Sequence, residues 1–328
     1  MSPSLRGCAR IAVTSGAVED GNGLEVVKRT TVVARTLLVV VLLLVLVGAV
    51  GCKPSASSDK LTVVATIFPL ADFVKNVAGD NVEVVTLLPA GANPHTYDIT
   101  PRNVKTIADA KVLVMNGAGL DFWVEKVGAA ARSDLLVVDT STTLEKEGLL
   151  LAGDADDAGG HNPHFWLDPE LAQKQVAAIA EALATVDPTN KDVYLGNAAK
   201  YIDQLKSLDE EISVVTDNFS SREFISSHPS WKYFAQRYAL AEVAVIEQAP
   251  GREDYSVKYT MKVIDAVKEH DVKVIFAEVQ FSTKSADTIA HDTGAKVLLL
   301  DSIGGVSGRD SYIAMMRYNV GLMAEAMQ

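Results

Sequence analysis

From Leu61 onward, short runs of apolar, β-branched residues alternate with longer stretches in which apolar positions recur every three or four residues. The runs LTVVATIF, VEVVTLLP, KVLVMNG and LLVVDTS are short and almost uniformly apolar, so they predict strands covered on both faces. Between them, LADFVKNVAG, PRNVKTIADA and DFWVEKVGAAA carry the helical period. Thr100 before Pro101 predicts a helix start, a capping hydroxyl followed by a residue whose missing N–H costs nothing at the first helical position. Strands alternating with helices predict a parallel sheet flanked by helices.

The pattern recurs further along. REFISS, AEVAVIEQ, VKVIFAEV and AKVLLLD predict strands, with SWKYFAQRYA, SVKYTMKVIDAVKEH and TKSADTIAHDT as helices, and Gly294 stands where a helix would end in a left-handed residue. Two α/β lobes follow, without close sequence repetition. In the intervening DPTNKDVYLGNAAKYIDQLKSLDEEISVVTDNF, the residues Tyr194, Ala198, Tyr201, Leu205, Leu208 and Ile212 recur at three- and four-residue steps. They predict one helix of about 25 residues, about 38 Å long at 1.5 Å per residue, enough to join both lobes. The alternative is an ordinary helix packed on one lobe. The expected organisation is a first lobe over residues 61–188, a linking helix over 189–217 and a second lobe over 218–328.

The beginning of the chain breaks this pattern. VVKRTTVVARTLLVVVLLLVLVGAVGC has a basic start at Lys28, Arg29 and Arg35, an apolar run of about a dozen residues, and small residues before Cys52. It resembles a bacterial lipoprotein signal peptide, although Ala49 stands where such signals more often carry Leu. The resemblance implies cleavage between Gly51 and Cys52 and a lipid on the Cys52 sulfur, holding the protein to a membrane outside the cytoplasm. A transmembrane anchor is the competing reading, for which the run is short. Residues 1–26 have no place in a signal peptide and point to a later translation start. Residues 1–51 are thus a signal with an upstream extension, and 52–60, with KPSASSD, a polar tether.

Composition narrows the function. At 328 residues, 48% hydrophobic and 22% charged, the chain can bury a substantial core in two domains and is no disordered polymer. Cys8 precedes the cut and Cys52 carries the lipid, so the mature domain has no thiol for a disulfide, a thiolate metal site or a Cys nucleophile. Five basic and three acidic residues precede Cys52, leaving 25 basic against 39 acidic, a net charge of −14 that repels nucleic acid and draws cations. HExxH, GxSxG and GxxxxGK[ST] are all absent, so the enzyme class that remains is a metal hydrolase without a motif.

Functional residues of parallel sheets gather in the loops beyond the strands' C-terminal ends. Four polar residues occupy such places: His95 in LLPAGANPHTYDITP, His164 in NPHFWLDP, His228 in FISSHPSWKYFAQRYAL and Asp301 in VLLLDSIGG. They converge if both sheets turn those edges toward one cleft. The segments GANPHTYDITP, NPHFWLDP, HPSWKYFAQRYAL, IFAEVQFSTKSADTIAHDTGAKVLLLD and YIAMMRYNVGLMAEAM resemble, in this order, segments of the zinc/manganese cluster of ABC-transporter substrate-binding proteins, over essentially all of residues 61–328. The resemblance implies two lobes joined by a backbone helix, and one divalent ion bound between them by His95, His164, His228 and Asp301. It further implies delivery to a membrane permease by a lipid-anchored monomer.

Histidine at the third ligand position accompanies zinc in that family, and a carboxylate there accompanies manganese. Three imidazoles and one carboxylate suit tetrahedral zinc, whereas manganese favours oxygen; manganese or iron in the same role is the alternative. A shell filled by protein leaves no position for an activated water, which argues for carriage over catalysis. A surface adhesin, needing no metal, is the rival from another class.

Other polar residues carry less. GDADDAGGH, with Asp154, Asp156, Asp157 and His161, lies where zinc-binding members of the family often have a histidine-rich loop; it reads as a solvated loop, with weak metal collection as the alternative. Glu278, ending the strand VKVIFA, is either a carboxylate partner behind a metal-bound histidine or half of a salt bridge. His270 and His291 read as surface residues, and Trp231, Tyr233 and Phe234 as core. Because zinc binds neutral imidazole, affinity is expected to fall most steeply near and below pH of about 6.5.

Overall fold

The computed structural model of the protein describes residues 60–130, 134–153, 160–246 and 256–328. The signal segment with Cys52, the residues up to Asp59, and Asp154, Asp156 and Asp157 lie outside the described residues.

Strands β1 (Leu61–Ala65), β2 (Val82–Thr86), β3 (Val112–Met115) and β4 (Leu136–Asp139) form an all-parallel sheet in the order β2-β1-β3-β4. Helices α1 (Phe68–Ala78), α2 (Pro101–Asp109), α3 (Phe122–Ala130) and α4 (Ser141–Lys146) are interleaved with it. Central β3 is buried throughout, whereas edge strand β4 alternates half-buried and exposed positions. The start of α2 is closed reciprocally: Asn103 N–H donates to Thr100 Oγ1 at 3.2 Å and Thr100 N–H to Asn103 Oδ1 at 2.9 Å.

A second all-parallel sheet repeats this order as β6-β5-β7-β8, from β5 (Glu223–Ser226), β6 (Ala241–Val245), β7 (Val274–Glu278) and β8 (Lys296–Leu300). The α/β class and the two-sheet architecture are those the pattern predicts. Helices α8 (Val257–Glu269) and α9 (Lys284–Thr293) fall in segments picked out above, whereas helix α5 (Pro169–Val186), helix α4 and the last helix, α10 (Tyr312–Met327), do not. In α5 the abundant alanines blur the apolar stripe, yet its start is marked: Asp168 accepts from Glu170 N–H at 2.8 Å, with Pro169 as first helical residue.

Helix α6 (Lys191–Asp217) has 27 residues and buries Tyr194, Ala198, Tyr201, Leu205, Leu208, Ile212 and Thr216 along one stripe. Its first half holds the first lobe, with Asn197 Nδ2 donating to Val77 O at 3.1 Å and Tyr201 OH to Asp72 Oδ2 at 3.0 Å. Its second half holds the second lobe: Asp209 accepts from Arg237 of α7 (Lys232–Arg237) and from Tyr238 OH, and Glu211 pairs with Arg317 of α10. One hydrophobic cluster runs from Val63 of β1 through Trp166 and Leu205 to Phe224 of β5 and Tyr312. The lobes share a core, and their sheets turn loop-bearing C-terminal edges toward the same region.

Candidate metal centre

His95 lies in the loop between β2 and α2, His164 between α4 and α5, and His228 two residues after β5. Their Nε2 atoms form a triangle with sides of 3.0 Å (His95–His164), 3.2 Å (His95–His228) and 3.2 Å (His164–His228). Three nitrogens bound about 2.0–2.1 Å from a tetrahedral ion stand about 3.3 Å apart, so the triangle has the span of one metal face. Among the described residues this is the group of His, Cys, Asp and Glu side chains whose ligand atoms lie close enough to share an ion, all within 4.8 Å of one another.

The loops are held from behind. Asn93-Pro94-His95 and Asn162-Pro163-His164 use the same local device, in which the Asn Oδ1 accepts the histidine's backbone N–H, at 2.8 Å and 3.0 Å. Trp123 Nε1 donates to Pro94 O at 3.1 Å, and Asn116 Nδ2 to Pro163 O at 2.9 Å. Across the lobes, Trp166 Nε1 donates to Ser302 O at 2.7 Å, and Asn162 Nδ2 to Pro229 O at 2.8 Å. Phe281 lies against the His228 ring, with centroids 4.8 Å apart.

His164 and His228 are almost wholly buried, and His95 is half-buried. Dense packing still desolvates the His95 ring and pushes its pKa down to about 4. Burial, reinforced by neighbouring positive charge, holds His164 and His228 well below the usual histidine range. Three neutral imidazoles with converging nitrogens are the protonation state a transition metal requires.

Asp301, expected as the fourth ligand, is buried but is not part of the three-nitrogen group. Its Oδ1 accepts from Gln280 Nε2 at 2.7 Å and from the amides of Ile303 and Gly304 at 3.1 Å and 2.9 Å. Its Oδ2 lies 2.9 Å from Arg309 Nε, an ion pair without hydrogen-bond geometry. Arg309 returns to Asp301 because the loop turns tightly: Gly305 N–H donates to Arg309 O at 2.8 Å, and Arg309 N–H to Val306 O at 2.9 Å. Gly305 needs its positive φ of 82°, and a Cβ there would stand 3.0 Å from the Phe68 ring of α1. Nothing in the order of residues marks Arg309 as Asp301's partner.

Among the described residues, Glu278 bonds neither a histidine nor a basic group. It accepts the hydroxyl hydrogens of Ser230, two residues past His228, and Ser302, next to Asp301, so one carboxyl group braces both loops of the second lobe. Burial pushes its pKa up to about 7. His161 stands apart from the three-histidine group, its backbone forming an isolated bridge with Ala152. His270 and His291 are exposed, beside Glu223 and Asp292. Trp231, Tyr233 and Phe234 are buried in the core.

A family model described as ZnuA, the periplasmic component A of a zinc-uptake complex, matches residues 63–326. The chain is 32% identical over 294 residues to the high-affinity zinc uptake system protein ZnuA of Bacillus subtilis, covering 84% of this chain and 91% of that protein. It is 30% identical over 279 residues to the manganese-binding lipoprotein MntA of Halalkalibacterium halodurans, with coverages of 83% and 90%. A crystal structure of ZnuA aligns with a TM-score of 0.74 at 31% identity, covering 82% of this chain and 100% of that one.

Proposed function

Since the chain belongs to the ZnuA family of zinc-uptake components, we propose that it is the extracytoplasmic substrate-binding part of an ABC importer, capturing zinc between its lobes and delivering it to a membrane permease. The observation that carries this reading is the triangle of His95, His164 and His228 Nε2 atoms with sides of 3.0–3.2 Å. Three imidazole nitrogens with a single carboxylate favour zinc over manganese, which prefers oxygen-rich coordination. Asp301 supplies the fourth ligand when the ion takes the place of Arg309 beside it. With four protein donors the ion is cargo, and carriage is the function in preference to hydrolysis.

All three nitrogens come from one chain, so a monomer suffices. Among the described residues no helix is long and apolar enough to cross a membrane. The apolar run before Cys52 lies outside those residues, and its resemblance to a lipoprotein signal is what supports attachment through a lipid on Cys52, with the short polar segment after it as tether. Elemental analysis of protein purified without chelators, followed by competition between zinc and manganese, tests the proposal. One equivalent of zinc that manganese fails to displace at equal concentration is the expected result. Preference for manganese or iron would keep the transport role and change the cargo. A folded chain that binds none of these metals would sink the proposal and leave the adhesin role.

A further inference from the structure

We infer that Asn162 is a positioning residue that sets the tautomer of His164 and ties that ligand to the His228 loop; the inference rests on the three-histidine reading of the site. Asn162 is completely buried. Its side chain meets three groups: Pro229 O at 2.8 Å, His164 N at 3.0 Å and His164 Nδ1 at 3.0 Å. Only one orientation of the amide is chemically consistent. A carbonyl oxygen facing Pro229 O would set two acceptors together, and an NH2 facing the His164 backbone N–H would set two donors together. Nδ2 therefore faces Pro229, and Oδ1 faces His164.

The consequence lies on the ring. Oδ1 has no hydrogen to give, so the 3.0 Å contact with Nδ1 is a hydrogen bond only when Nδ1 carries the proton. The neutral ring then has its lone pair on Nε2, the atom that lies 3.0 Å and 3.2 Å from the other two Nε2 atoms. A metal-binding histidine is commonly prepared in this way, by an acceptor behind its distal nitrogen.

Asn93 provides an internal comparison. It stands at the same distance before His95 and accepts the same backbone N–H, but among the described hydrogen bonds its oxygen does not reach the His95 ring. Among the described residues, His228 Nδ1 is buried with no hydrogen-bond partner. Of the three rings, His164 is the one whose tautomer the described contacts dictate. Asn162 is itself anchored at both backbone groups, its N–H donating to Leu151 O at 2.9 Å and its carbonyl accepting Tyr233 OH at 2.7 Å. Because Pro229 follows His228, the same amide that orients a first-lobe ligand also holds the backbone beside a second-lobe ligand.

Long-range 1H–15N spectra of metal-free, histidine-labelled protein near neutral pH test this directly. Wild type should show His164 with its proton on Nδ1. Asn162→Leu should release the tautomer and weaken zinc binding about 10- to 100-fold, the range for removing such a partner. Asn162→Asp keeps the acceptor behind Nδ1 but sets an oxygen against Pro229 O, so it should retain the Nδ1–H form while recovering only part of the affinity. Asn93→Leu should leave the His164 tautomer unchanged. A wild-type His164 protonated on Nε2 overturns the inference whether or not any variant folds, as does a folded Asn162→Leu protein with unchanged tautomer and zinc affinity. Failure of the wild type to bind zinc would strike at the metal reading and leave the ring spectrum to judge Asn162.

Discussion

Arg309 Nε stands 2.9 Å from Asp301 Oδ2, so the carboxylate expected to bind the ion already has a cation beside it. The carboxylate is almost fully buried, and Gln280 and two amides occupy its other oxygen. An ion ligated by Asp301 must replace the guanidinium. Arg309→Gln should therefore lower the melting temperature of the metal-free protein, by leaving a buried charge without its counter-ion, and enlarge the rise that zinc produces. The zinc dissociation constant should tighten about tenfold, about 1.4 kcal/mol, and the gain should vanish in the Asp301→Asn background. Equal zinc-induced rises in wild type and Arg309→Gln would mean that Asp301 never leaves Arg309.

Alanine at His95, His164 or His228 should weaken zinc binding by at least about 10- to 100-fold, because each removes a direct donor. His161→Ala should do far less, since His161 lies outside the nitrogen triangle. Competition titrations with a zinc chelator rank the four variants. High affinity that survives His164→Ala and is lost with His161→Ala would reverse the assignment.

Burial moves the effect of acid. Free imidazoles would lose zinc near pH 6.5, but His95 titrates at about 4 in the fold and the other two rings lie well below 6.5. Zinc affinity should stay nearly level from pH 7.5 to about 5.5 and fall as pH approaches about 4. A tenfold loss by pH 6, seen in isothermal titrations, would contradict the buried geometry. The sign for folding follows from the same shifts. Between pH 6.5 and about 4 the unfolded chain holds the extra protons on these histidines, so their contribution to stability is lost as pH falls through that window. Glu278 and Asp121, both raised to about 7 by burial, act oppositely: their contribution is present in acid and lost as pH rises through about 7. Melting temperatures of the metal-free protein should accordingly peak in weak acid, about pH 5 to 6.

Helix α6 limits how far the lobes can move. It contains no proline from Lys191 to Asp217, holds both lobes by hydrogen bonds and ion pairs, and lies in a core that they share. Small-angle scattering with and without zinc should show little compaction, and a large change would require a break in this helix. Gly196 is its one weak point. A Cβ there meets nothing within 4 Å, so Gly196→Ala should add about 0.5–1 kcal/mol of stability while leaving zinc affinity alone.

Cys52→Ser should abolish acylation and leave an uncleaved or soluble precursor. Mass spectrometry of the mature protein decides the point: an N-terminus anywhere other than Cys52 defeats the lipid-anchor proposal.

What the sequence determined by itself is whatever depends on local pattern. Short, mostly apolar runs rich in β-branched residues suit strands covered on both faces, so β1, β3 and β7 were visible along with the two-lobed class. The stripe from Tyr194 to Ile212 likewise specified one long helix, because a single face must meet a core at every turn. His95 and His228 stood out by their places beyond the ends of β2 and β5, whereas His164, expected in such a loop too, follows helix α4 and stood out by its segment NPHFWLDP. Helix α5 escaped because its apolar stripe is diluted by alanine, although Asp168 and Pro169 announced its start. The tertiary structure alone decided which groups meet across long separations. The 3.0–3.2 Å triangle joins residues 69 and 64 positions apart. Arg309 lies against Asp301 because of a glycine turn packed on Phe68, Glu278 reaches two serines in different loops, and Asn162 finds Pro229 in the other lobe. These contacts have no local signature, since a side chain's partner is set by how sheets and helices stack, and a carboxylate or an amide bonds whichever complementary group the stacking brings within about 3 Å.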